Sequence, residues 1–232
     1  YGVNTGFGNL SHILIDSDDS EKLQINLIRS HASGIGEPLS LGLVRTVIFL
    51  KLLTFAKGYS GVSIELIKKI IQLINKDILP VIPKRGSVGA SGDLAPLGHL
   101  ALVIIGEGEV FFQGKRLKTH LALKKAKIKP LSLKAKEGLS LINGTQVSTA
   151  IAIKTLLDGR NLLLSADMAG ALSVENSFSS REVFQKKIHD LKQHPGQRIS
   201  AKNVYKLLTN SEIVQSHNNC GKIQDPYSFR CI

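Results

Sequence analysis

Apolar residues recur at helical spacing along most of the chain. Leu23, Ile25, Leu27 and Ile28 lead from Ser20 to a Gly34-Ile35-Gly36 stop, which predicts an amphipathic helix with Ser20 as its N-cap. A second helix is predicted at once, with Pro38 in its first turn. Leu41 to Phe55 is so apolar, broken only by Arg45 and Lys51, that it reads as a buried helix ended by Gly58 and Gly61. Ser63 then caps Ile64 to Ile74, before Pro80 and Pro83 break the chain. Arg85 to Gly92 carries Gly86, Gly89 and Gly92 among small residues, the composition of a loop built for close approach. Asp93 is the expected cap of a helix bearing Leu94, Leu97, Leu100, Val103 and Ile104. Glu109 to Leu117, turning near Gln113-Gly114, predicts the one β-hairpin. The longest periodic stretch, Thr145 to about Val174, belongs in the middle of a bundle. Weaker helices are predicted over about 181–193 and, capped by Ser200, about 201–209, with 210–232 as loop. The fold class is therefore mainly α, a long-helix bundle with a small β-hairpin.

Composition narrows the classes. The 232 residues are 43% hydrophobic and 21% charged, which excludes a disordered or collagen-like chain. The longest apolar candidate, Gly144 to Leu172, is interrupted by Lys154, Asp158, Arg160 and Asp167, so a membrane span is not expected. The sequence opens at Tyr1 without Met or an apolar leader, and a fragment or processed piece is the expectation. Net charge is +12, and much of the excess lies between Lys115 and Lys136, where no acidic residue occurs. Such a run reads as a solvated face, and with few aromatics and no Trp a nucleic-acid partner is not expected. Cys220 and Cys231 form neither a CxxC nor a metal-ligand spacing, so no metal is expected and a reducing cytosol is the simplest compartment.

The loop Gly86-Ser-Val-Gly-Ala-Ser-Gly-Asp93 can be read in two ways. It can be a glycine-rich turn into a helix N-terminus, where an anion could bind. It matches neither the dinucleotide GxGxxG nor the GxxxxGKS phosphate loop. Alternatively, the Gly92 amide nitrogen can attack the Ala90 carbonyl carbon. Loss of two waters, there and from Ser91, leaves an electrophilic imidazolone with an exocyclic methylene. Small residues on both sides of the serine give the backbone the freedom this closure needs.

The string from Gly86 to Leu97 resembles the signature of the aromatic amino acid lyases, which build a methylidene-imidazolone (MIO) from their own Ala-Ser-Gly. Tyr1-Gly-Val-Asn-Thr-Gly-Phe-Gly8, Leu141-Ile-Asn-Gly-Thr-Gln146 and Gln224-Asp-Pro-Tyr-Ser-Phe-Arg-Cys231 are similar to further segments of that family, in its order. The resemblance implies a partial lyase fold over 1–232. The ring-bearing region would reach about residue 140, 141–232 would enter the central helical bundle, and the C-terminal half of the family fold would lie outside this chain. It implies that Ala90, Ser91 and Gly92 form MIO, and that Tyr1 takes the substrate's β-proton. Asn143 and Tyr227 would contact the ring or the amino group it receives. Gln224 would line the site, Arg230 would grip the carboxylate, and Asp93 and Gly144 would support the loop. Ser30-His31 followed by Ala-Ser-Gly-Ile-Gly-Glu-Pro-Leu39 resembles the histidine-specific branch, since a histidine can hydrogen-bond an imidazole. Implied with it are L-histidine as substrate, trans-urocanate and ammonia as products, and a cytoplasmic homotetramer with sites shared among subunits. The alternatives are an MIO lyase or aminomutase acting on tyrosine or phenylalanine, and a catalytically silent helical module.

Overall fold

The structure, a computed structural model, describes residues 1–90 and 92–232. It divides into two compact units, Tyr1–Lys154 and Thr155–Ile232. In the first, α1 (Ser17–His31) leads through β1 (Ile35–Pro38) to α2 (Leu41–Ala56) and α3 (Ile64–Asn75). β2 (Leu79–Pro80) and β3 (Pro83–Arg85) precede the glycine-rich loop. α4 (Leu94–Ile104), β4 (Glu109–Phe112), β5 (Lys115–Lys118), α5 (Thr119–Ala126) and α6 (Glu137–Ile142) follow it. β1 pairs antiparallel with β3, and β2, β4 and β5 form an antiparallel sheet in that order. One core joins these elements through residues such as Ile28, Val47, Ile70, Leu97, Val110 and Leu141.

The 31-residue α7 (Gln146–Asn176) starts within the first unit. The second unit holds most of α7, a 3-10 turn at Glu182–Phe184, α8 (Lys186–His189), α9 (Pro195–Leu207), α10 (Glu212–Ser216) and α11 (Tyr227–Arg230). Its own core gathers Val174, Phe184, Ala201, Val204, Leu208 and Val214. Among the described residues no helix is long and apolar enough to cross a membrane.

The mainly helical architecture and the Glu109–Lys118 hairpin agree with expectation, as does the Ser63 cap, whose hydroxyl accepts from the Leu66 amide at 3.3 Å. Several local expectations are corrected. α1 begins at Ser17 with Asp16 at its N-cap position, not at Ser20, and ends at His31. Ile35 and Gly36 of the expected stop belong with Pro38 to β1, and Ser40, not Pro38, opens α2 by accepting from the Leu43 amide. Prolines at short, edge-like strands cost no ladder bond, which is why β1 to β3 leave so little strand signature. The predicted 181–193 helix is two short turns. α9 starts at Pro195, whose fixed φ suits the first helical turn, six residues before Ala201. The 210–232 tail contains α10 and α11.

Candidate functional site

The glycine-rich loop is set between two helix N-termini. Asp93 occupies the N-cap position of α4, as expected, but its carboxylate makes no bond to α4. It reaches the first turn of α7 instead. Oδ2 accepts from the Ser148 amide at 2.8 Å, and Oδ1 accepts from the Ser148 hydroxyl at 2.6 Å and the Ser87 hydroxyl at 2.7 Å. The positive end of α7 therefore faces this carboxylate. Burial pushes the Asp93 carboxyl up, yet the bonds from Ser148, Ser87 and the Val147 amide together outweigh it and hold the group below its ordinary value.

The following backbone contacts are tighter still. The Asp93 amide donates to the Gly144 carbonyl at 2.7 Å. A Cβ on Gly92, whose φ is +141°, would lie 2.7 Å from that same oxygen and 2.9 Å from the Gly144 nitrogen. Only glycine meets both demands at position 92. Gly144 is under a matching constraint, because a Cβ there would overlap the Gln146 side chain. Gly92 and Asp93 are buried and Ala90 is exposed; Ser91, the expected ring serine, lies outside the described residues. A buried glycine free of Cβ and a fixed following amide are the features that attack by the Gly92 nitrogen on the Ala90 carbonyl requires, so the backbone fits ring formation.

Asn143 caps the C-terminal end of α6, and its backbone carbonyl accepts from the Lys51 ammonium at 3.2 Å. Lys51 is fully buried on α2, with Phe55 beneath it at 5.2 Å, and also reaches Gln146 Oε1 at 3.5 Å. Burial lowers its pKa from 10.5 to about 7. In the sequence Lys51 is only a break in an apolar helix. No sequence signal marks it, because α2 is apolar on nearly every side; the structure shows Lys51 on the buried stripe of Val44, Val47, Ile48 and Phe55.

His31 closes α1. Its Nδ1 donates to the Leu27 carbonyl at 2.8 Å, which leaves Nε2 as the acceptor of the neutral ring. The segment after it is held against α4, since a Cβ on Gly98 would press on the backbone of His31 and Ala32. The Gly34 amide donates to His99 Nε2 at 3.0 Å. β1 then pairs with β3, which runs directly into the glycine-rich loop, so His31 and that loop are anchored to the same framework. Tyr1 is 63% exposed, with its hydroxyl accepting from the Gly8 amide of its own loop at 2.9 Å. The structure thus brings Gly92, Asp93, Asn143 and Gly144 together, with Lys51 behind them, and holds Tyr1 in a separate turn. Gln224, Tyr227 and Arg230 belong to the second unit. There Gln224 and Tyr227 are exposed and the Arg230 guanidinium stacks 4.5 Å from the Tyr227 ring. No group of three or more potential metal ligands occurs among the described residues.

Residues 1–232 match the family model described as aromatic amino acid lyase. The chain is 50% identical over its full length to histidine ammonia-lyase of Myxococcus xanthus, of which it covers 46%. Among solved structures, it matches phenylalanine aminomutase of Pantoea agglomerans at 31% identity and a TM-score of 0.91, covering all of this chain and 48% of that one. It matches histidine ammonia-lyase from Trypanosoma cruzi at 35% identity and a TM-score of 0.86, covering all of this chain and 42% of that one. The chain therefore spans less than half the length of these relatives.

Proposed function

This chain belongs to the aromatic amino acid lyase family, and we propose that the complete protein converts L-histidine to trans-urocanate and ammonia. The observation that carries this reading is the clamped loop: Gly92, with no room for a Cβ, against Gly144, and Asp93 fixed across to α7. The family is MIO-dependent in general, and in this chain the ring would come from Ala90, Ser91 and Gly92. A bond forms between the Gly92 nitrogen and the Ala90 carbonyl carbon. The Ala90 oxygen leaves as water with the amide protons of Gly92 and Ser91; the Ser91 hydroxyl leaves as water with its Cα proton. Once formed, the ring supplies an electrophilic methylene carbon that makes the substrate's amino group a better leaving group.

The remaining work falls to side chains. Arg230 would bind the carboxylate through its guanidinium fork, fixing the amino acid's orientation. Tyr1 would accept the β-proton at its phenol oxygen. His31 would offer Nε2 to the N–H of the substrate imidazole, a contact that an apolar side ring cannot make. Asn143 and Tyr227 would hold the amino group and the ring, and Gln224 would line the pocket. Residues 1–232 are then one part of a lyase domain, with the ring-bearing region reaching to about residue 140 and the helical bundle starting at 141, and the working enzyme is a cytoplasmic homotetramer.

The test uses the purified complete protein. The peptide spanning Ala90 to Gly92 should be two waters lighter than its coded mass, and L-histidine should yield urocanate and ammonia while tyrosine and phenylalanine release no ammonia. The likeness to a phenylalanine aminomutase supports a second reading within the family. An intact ring that leaves L-histidine untouched but deaminates or isomerises phenylalanine or tyrosine would establish that reading instead.

A further inference from the structure

We propose that Lys51 is the positioning residue for ring formation: its ammonium fixes the Asn143–Gln146 turn against which Gly92 must seat before Ala90-Ser91-Gly92 can close. The inference rests on the ring reading above and extends it to a residue with no place in the family resemblance.

The contacts run without a gap. From α2, the Lys51 ammonium donates to the Asn143 carbonyl at 3.2 Å and lies 3.5 Å from Gln146 Oε1. One turn further along, Thr54 Oγ1 accepts from Gln146 Nε2 at 3.1 Å. Two residues of α2 thus grip the turn that separates α6 from α7. Gln146 folds over Gly144 so closely that a methyl group there would overlap it, and Gly144 in turn takes the Asp93 amide and abuts Gly92. A shift of the Asn143–Gln146 turn is therefore passed directly to the nitrogen that must attack.

The choice of lysine supports the same conclusion. Among the described residues no carboxylate pairs with Lys51, although it is fully buried. A buried cation without a counter-charge is a poor way to stabilise a core, and an apolar side chain of similar size would serve that end better. What an apolar residue lacks is a set of rotatable donors for an orphan carbonyl at a helix C-terminus and for a glutamine at the next helix's start. The lysine supplies local geometry at the expense of global stability, the usual sign of a site under functional demand.

The experiment compares the complete wild-type protein with Lys51→Met, Lys51→Arg and Gln146→Leu. The fraction of the Ala90–Gly92 peptide that has lost two waters is read by mass at fixed times after synthesis, with circular dichroism and thermal unfolding on the same samples. Lys51→Met should fold, with a melting temperature at pH 7 no lower than wild type, yet close the ring about a hundredfold more slowly, as expected for a reacting group displaced by an ångström. Lys51→Arg, which keeps a cationic donor, should recover most of the closure, and Gln146→Leu should be slowed in the same direction. The proposal is overturned if folded Lys51→Met closes as fast as wild type. It is equally overturned if Lys51→Met fails to fold while folded Gln146→Leu closes normally. A wild-type protein that keeps both waters overturns the ring reading itself, and this proposal with it.

Discussion

Asp93, Gly92 and Lys51 each depart from what their local sequence would choose. Asp93 stands where a helix cap belongs and caps a different helix. Its charge-assisted bonds to Ser148 make Asp93→Ala costly: about 3 kcal/mol, the scale for losing bonds to a buried charged group, measured by chemical denaturation. Because the folded carboxyl is held below its ordinary value of 3.8, this contribution is present above that pH and disappears as pH falls through the lower, folded value. Lys51 acts in the same direction at higher pH, because there burial disfavours the charged form. Its folded pKa of about 7 lies below the unfolded value of 10.5, so between those limits the unfolded chain binds the extra proton and stability rises with pH, by a few kcal/mol at most. The groups against its nitrogen, the Asn143 carbonyl, the Gln146 amide and the Phe55 ring, do not titrate in that window. The rise between pH 7 and 10 should be absent from Lys51→Met. Gly92→Ala should be among the most damaging single-methyl changes, about 2 kcal/mol or more from φ strain and overlap with Gly144, read as a lowered melting temperature.

Whole elements were legible where one local rule decided them. Ser63 before an isoleucine stripe gave α3 its start, and Ser63→Ala should remove about 1 kcal/mol, seen as early exchange of the α3 amides in hydrogen-exchange mass spectrometry. Gln113-Gly114 between two short alternating runs marked the hairpin, and both residues take positive φ. Other elements were hidden by tertiary contacts. β1 has the glycines and proline of a loop and exists as a strand because β3 lies beside it. α2 is apolar on every side, so its sequence does not reveal which stripe is inside; the structure exposes Phe49 and Leu53 while burying Lys51. The site divides in the same way. The small residues of the glycine-rich loop were readable because they stand together in one short segment, whereas the Lys51 grip depends on a turn 92 residues distant.

Across the whole molecule, the hydrophobic residues gather in two cores, one in each unit. In the second, Val204 is 2% exposed and packs with Val174, Phe184 and Leu208. Val204→Ala should cost about 1–3 kcal/mol and raise hydrogen exchange in α9 and in the part of α7 around Val174. The long α7 also leaves large apolar side chains exposed, among them Leu156, Leu162 and Leu163. Surface of that kind agrees with the proposed assembly into homotetramers, where a helix of this length would be covered.

The reach of Asp93 to Ser148, 55 residues along the chain, would also set a clock on the proposed ring closure. On the ribosome, the glycine-rich loop is synthesised well before its clamp exists. Until α7 has begun, no amide is available at its first turn, Gly144 has not arrived to seat Gly92, and the loop samples the broad conformations of any glycine-rich segment. The proposed ring closure would thereby be delayed until a long-range native contact has formed. Nascent chains released before residue 148 should carry the unmodified tripeptide, and a loop modified as proposed would be a covalent record that this part of the molecule has folded.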